Sequence, residues 1–164
     1  MYIVALLLNW LANIFFLFSD VNFLIVASML FMFHRLLVLI KIFKEEKNIG
    51  IVAFLLGIIP FLFLFLSLIN IIFDTIQKNQ FILIVMQCIL MSILGGLSLG
   101  SYFMKNNLSS RFLLISSLFF GINLFVLGVK FYFLDLRFLK PISMVFFVFG
   151  QYLFYKYMLL IDKD

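Results

Sequence analysis

The sequence predicts an all-α fold, a polytopic transmembrane bundle of six helices in a single integral membrane domain spanning residues 1–164. Three observations predict it. Hydrophobic residues make up 66% of the 164 positions and charged residues 12%, with a mean hydropathy of +1.28. A soluble domain of that size leaves too much surface exposed to hide so many apolar side chains. The apolar residues fall into six runs, each of a length that suits a helix crossing about 30 Å of hydrocarbon. All seven acids, Asp20, Glu45, Glu46, Asp74, Asp135, Asp162 and Asp164, fall in the breaks or the tail.

The first helix is expected over 2–18. No basic residue precedes it and no small-residue cleavage site follows, so it reads as a retained helix and not a secretory signal. Asn9 and Asn13 are four apart and share a face, as interhelical hydrogen-bonding glue does. Trp10 beside them marks depth or packing. A tight turn, 19–22, leads to the second helix, 23–43, which carries the only histidine, His34, followed by Arg35. Ionisable residues at such depth are costly and face protein or a water-filled cavity. Two readings stay open for His34: a functional polar site, or a neutral imidazole bonded to a carbonyl. Arg35 reads as a snorkelling side chain, and Lys41 near the helix end does the same.

The loop 44–48 is short and charged. The third helix, 49–73, has Pro60 at its centre, where a lost backbone donor is expected to kink it. The loop 74–80 follows. The fourth helix, 81–104, carries Gln87 and then GGLSLG, Gly95 to Gly100. Gly96 and Gly100 have GxxxG spacing, which lets helices approach closely and here favours packing inside the bundle over dimerisation. A basic turn, 105–111, leads to the fifth helix, 112–133. A charged turn, 135–140, leads to the sixth, 141–160, with Pro141 at its tolerated first turn. Each of these last helices has an amide near its middle, Asn123 and Gln151. Tyr2, Tyr102, Tyr132, Tyr155 and Tyr157 fall near helix ends, as interfacial aromatics do.

The net charge is +5 and the pI about 9.4. No basic cluster accompanies them, so nucleic acid is not the expected partner. Lys41, Lys44, Lys47, Lys105, Arg111, Lys156 and Lys163 lie on the side of the termini, against Lys78, Lys130, Arg137 and Lys140 opposite. That bias places both termini in the cytoplasm, in a bacterial inner membrane. The lone Cys88 excludes an intramolecular disulfide and a cysteine metal site, and reads as a small packing residue.

The mid-membrane polar set is Asn9, Asn13, His34, Arg35, Gln87, Asn123 and Gln151. Amides orient a headgroup or a water but take up no proton at neutral pH. His34 is the one general base available. There is no HExxH, GxSxG or P-loop, and neither cofactor nor metal is expected.

Four stretches resemble the YhhN-like family, whose enzymatic members are lysoplasmalogenases. ALLLNWLANIFF (5–16) looks like the family segment ending in Gly-Asp, and FMFHRLLVLIKIF (31–43) like the following segment with a histidine. LFFGINLFVLGVKFY (118–132) looks like the Ser-Asp segment, and FFVFGQYLFYKYM (146–158) like the final helix. The resemblance implies a fold lacking the family's two leading helices. It also implies that Ala12 and Asn13 stand at the Gly-Asp pair, and Ile122 and Asn123 at the Ser-Asp pair. Both carboxylates that the family is thought to use are then amides, while His34 and Gln151 remain. Hydrolysing a vinyl ether needs an acid for the double bond and a base for water.

The reading favoured is therefore a family member without catalysis. It would be a lipid-binding or partner-binding subunit of a membrane complex, with Asn13, His34, Asn123 and Gln151 as its candidate polar pocket. Its partners would be membrane lipids and other membrane subunits. The alternatives are an active hydrolase of lysophospholipid vinyl-ether bonds working through His34, and a small transporter.

Overall fold

A computed structural model describes residues 2–16, 18, 21–46, 49–134 and 136–161. The readings placed on Asp20, Asp135, Asp162 and Asp164, on Lys47 and Lys163, on the first half of the 19–22 turn and on the Tyr2 side chain lie outside the described residues, while 21 and 22 belong to a helix and not to a turn. Six helices follow one another: α1 Tyr2–Phe15, α2 Val21–Glu45, α3 Ile51–Ile72, α4 Lys78–Lys105, α5 Leu108–Tyr132 and α6 Leu139–Ile161. No strand occurs among the described residues. Helices α2 to α6 are long and apolar enough to cross a membrane. The protein is an all-α, integral membrane protein.

α1 is shorter than expected, at 14 residues. Aromatic packing draws the end of the first run into a turn. The Phe15 and Phe23 rings stack at 5.8 Å, and Phe18 sits 4.9 Å from Phe23. Both ends of α2, α4 and α6 and the start of α5 move outward, whereas α3 begins two residues late and ends one early, and α5 ends one residue early. α5 begins four residues early because Asn107 caps it: its side chain accepts from the Ser110 amide at 2.8 Å, and Ser110 Oγ accepts from the Asn107 amide at 3.1 Å. Reciprocal bonds of this kind satisfy two of the amides that a helix start leaves open. Asn106 closes α4 with φ of 43°, the left-handed region that Asn tolerates better than most residues. α6 begins at Leu139, so Pro141 is its third residue, not its first. The missing N–H is still one that would have no intrahelical partner. α3 continues through Pro60 as one helix.

The chain divides into two compact units. Unit 1 holds α1, α2 and α4 as far as Leu90; unit 2 holds α3, α4 from Met91, α5 and α6.

In unit 1, α1 and α2 pack antiparallel. Ala5, Ala12 and Ala27 are all at most 1% exposed. Small side chains at these positions let the two backbones come close. Trp10, by contrast, is exposed.

In unit 2, α3 buries Phe61, Phe65, Leu68 and Ile72, a stripe at helical spacing. Phe61 and Leu68 lie against α5 at Gly121 and Gly128. α6 runs antiparallel to α5, with Gly150 against Phe119 and Phe120. The Phe120 and Phe154 rings lie 6.3 Å apart, and Phe154 and Tyr157 5.7 Å. Tyr157 is fully buried. It is a core residue and not the interfacial aromatic its place near a helix end suggested.

Gly96 and Gly100 pack α4 on α3. A Cβ at Gly57 would stand 2.8 Å from the Gly96 carbonyl oxygen and 2.9 Å from Leu99 Cβ. One at Gly100 would stand 2.8 Å from Ile49 Cγ2. Only glycine admits backbones at that distance, so the GxxxG face is used inside unit 2.

Candidate functional site

The four residues of the expected pocket divide two and two between the units. Asn13 and His34 belong to unit 1, Asn123 and Gln151 to unit 2.

Asn13 is half-buried and turned back on its own helix. Its Nδ2 donates to the Asn9 carbonyl at 2.7 Å and approaches Asn9 Oδ1 at 3.5 Å. The pair therefore bonds within α1, not between helices as expected. His34 is 4% exposed, and its Nδ1 lies 2.8 Å from the Ala5 carbonyl oxygen. A carbonyl only accepts, so Nδ1 carries the proton and donates. This arrangement matches the neutral imidazole bonded to a carbonyl. Ala5 lies eight residues before Asn13, about 12 Å of helix rise, so unit 1 does not bring Asn13 and His34 together.

Arg35 does not snorkel. It is 6% exposed, lies over the Phe31 ring at 5.0 Å and donates from Nη1 to Gln87 Oε1 at 3.2 Å. Gln87 uses its other end as well, donating from Nε2 to the Ser28 carbonyl at 3.1 Å. One amide thus ties α4 to two points on α2. Lys41 is half-buried and pairs with Glu45 at 2.8 Å, one turn along the same helix.

Unit 2 differs in kind. Asn123 is 2% exposed, and its Oδ1 is buried without a hydrogen-bond partner. Both polar atoms of the Gln151 side chain are buried in the same state. Asn123 follows Phe120 by three residues and so shares its face of α5, the face toward α6. Gln151 follows Gly150, which packs on Phe119 and Phe120. The two amides therefore flank one contact between α5 and α6. Each buried polar atom left without a bond costs about 1–3 kcal/mol. Native interiors tolerate few of them, which makes three atoms near one helix contact notable.

A serine pair went unread in the sequence. Ser98 Oγ on α4 and Ser117 Oγ on α5 meet at 2.6 Å, both buried. Their signal was the run of small polar residues on both helices, which in a membrane helix points to close interhelical contact. Among the described residues, no three His, Cys, Asp or Glu side chains gather as metal ligands do.

Compared with family models, with curated proteins and with solved structures, the chain finds no match.

Proposed function

We propose that the chain is a non-catalytic membrane protein of the cytoplasmic membrane, both termini inside, that binds a lipid through the amides of α5 and α6. The observation that carries this reading is the set of unbonded polar atoms at Asn123 and Gln151. Amides recognise a polar group and do no proton chemistry on it, which fits binding without turnover. The resemblance to lysoplasmalogenases supports a lipid as the bound species, and the amides at Asn13 and Asn123 support lost hydrolysis. His34 adds support, because its Nδ1 proton is engaged by the Ala5 carbonyl. A single imidazole supplies one proton transfer, whereas vinyl-ether cleavage needs an acid and a base. The basic residues on the side of the termini support the orientation.

The test is an aldehyde-release assay on detergent-purified protein with a lysoplasmalogen, run beside Asn13→Asp, Asn123→Asp and the double variant. The unmodified chain is expected to give background turnover. A positioned acid or base is worth about 10²–10⁴-fold. Activity in the unmodified chain that vanishes in His34→Ala would overturn the proposal and establish a histidine-based hydrolase.

A further inference from the structure

Going beyond the α5–α6 amides, we infer that Arg35 is the docking point for a different membrane protein, one that carries a carboxylate near the centre of a spanning helix. Arg35 is a buried cation whose contacts are neutral: Nη1 donates to Gln87 Oε1, and the guanidinium lies over the Phe31 ring. A guanidinium has five N–H donors, so four are left without an acceptor among the described residues. Nε and Nη2 form one edge of the fork, and their parallel N–H bonds match the two oxygens of one carboxylate. Arg35 keeps 6% of its surface exposed, and neither Nε nor Nη2 is among the polar atoms sealed in without a bond. A cation inside a bilayer is costly until an anion meets it.

Depth selects the anion. α2 is long and apolar enough to cross the membrane. Arg35 stands 14 residues from its start at Val21 and ten from its end at Glu45, about 21 and 15 Å of helix rise. The guanidinium reaches back over Phe31, one turn earlier, and so lies at the middle of the helix. Phospholipid phosphates and fatty-acid carboxylates are held at the headgroup level, about 15 Å from the centre of a hydrocarbon layer of about 30 Å. A carboxylate built into another protein's helix is held at the matching depth. A second copy of this chain has none to offer, because all seven acids fall between the apolar runs or in the tail. His34, next to Arg35, gives its Nδ1 proton to the Ala5 carbonyl and supplies no negative charge. The partner is therefore a protein with Asp or Glu at mid-depth in a spanning helix.

The experiment places the full chain in phosphatidylcholine vesicles with synthetic spanning peptides, each a leucine-rich helix bearing an energy-transfer acceptor. Trp10, the one tryptophan, is the donor. The peptides carry glutamate at the centre, glutamine at the centre, leucine throughout, or glutamate near one end. The central-glutamate peptide is expected to associate at least about tenfold more tightly than the other three, as a charge-assisted bond in the interior allows. Arg35→Met should remove that preference and bring all four to the leucine level. Arg35→Lys, which keeps the charge but not the fork, should retain part of it. Thermal unfolding checks that both variants fold, and the comparison of glutamate with glutamine on the unmodified chain needs no variant. Equal association of those two peptides, or a preference that survives Arg35→Met, would overturn the assignment. So would stabilisation by oleate of the unmodified chain but not of Arg35→Met, which would give the site to a lipid carboxylate. The reading of the α5–α6 amides stands or falls separately, since none of these arms touches them.

Discussion

Arg35 and Gln87, 52 residues apart in sequence, are joined by a 3.2 Å hydrogen bond in the interior of unit 1. The bond holds a buried guanidinium to a neutral amide, and the same amide also satisfies the Ser28 carbonyl. Removing the amide leaves the buried guanidinium without this acceptor and takes away the second contact, to the Ser28 carbonyl. Gln87→Leu should therefore destabilise the protein by about 3 kcal/mol, whereas Arg35→Met, which removes the charge itself, should cost less. Thermal unfolding in detergent compares the two, and an equal or reversed order would count against the bridge.

The α3–α4 seam gives a second expectation. Gly57→Ala places a methyl 2.8 Å from the Gly96 carbonyl oxygen and must push the helices apart. A loss of about 1–3 kcal/mol follows from overpacking of this kind. Gly121→Ala is the control, since its Cβ would meet Phe61 no closer than 3.4 Å. Melting temperatures of the two variants should separate clearly.

The Ser98–Ser117 pair should matter only modestly. Each hydroxyl also lies 2.8 Å from a carbonyl of its own helix, so two protons are shared among three contacts. Polar contacts between membrane helices average about 0.6 kcal/mol in double-mutant cycles. A cycle of Ser98→Ala and Ser117→Ala should return a coupling of that size, and a value above about 2 kcal/mol would reveal a larger role.

Asn107 caps α5 through the Ser110 amide. Asn107→Ala should cost about 1 kcal/mol, as the loss of an N-cap does, and Asn107→Asp should recover most of it. Denaturation midpoints of the three proteins test the order.

Orientation is open to reporter fusions. A reporter at Asp164 should read as cytoplasmic and one inserted at Lys78 as external, following the basic-residue bias. The reverse pattern would invert the orientation without altering the helices.

The helical architecture was legible because runs of apolar residues and the acids between them are local features. Helix ends were less so. Asn107 and Ser110 form a cap only when the chain turns at Asn106, and a search for charged breaks passes over two neutral residues. Arg35 was misread for a different reason. Snorkelling is the default for a lone membrane arginine, and its true partner lies on another helix. Tyr157 was taken as interfacial from its distance to a helix end, although its face of α6 points into the core. The amides were legible as residue types. Whether each was bonded was not, because that depends on tertiary neighbours: Asn13 turns to its own backbone, Gln87 bonds at both ends, and Asn123 and Gln151 are left with unbonded atoms.

The close approach of Gly57 to Gly96 joins helices that are neighbours along the chain. Contacts between sequence neighbours form early, because little chain must be closed to make them. During synthesis, α3 and α4 therefore enter the bilayer as a hairpin whose glycine surface is covered as soon as its second arm emerges. The segment 78–105 produced by itself has no such cover. It is the form in which the GxxxG face would seek a second copy, and co-expression with segment 49–76 should suppress that pairing.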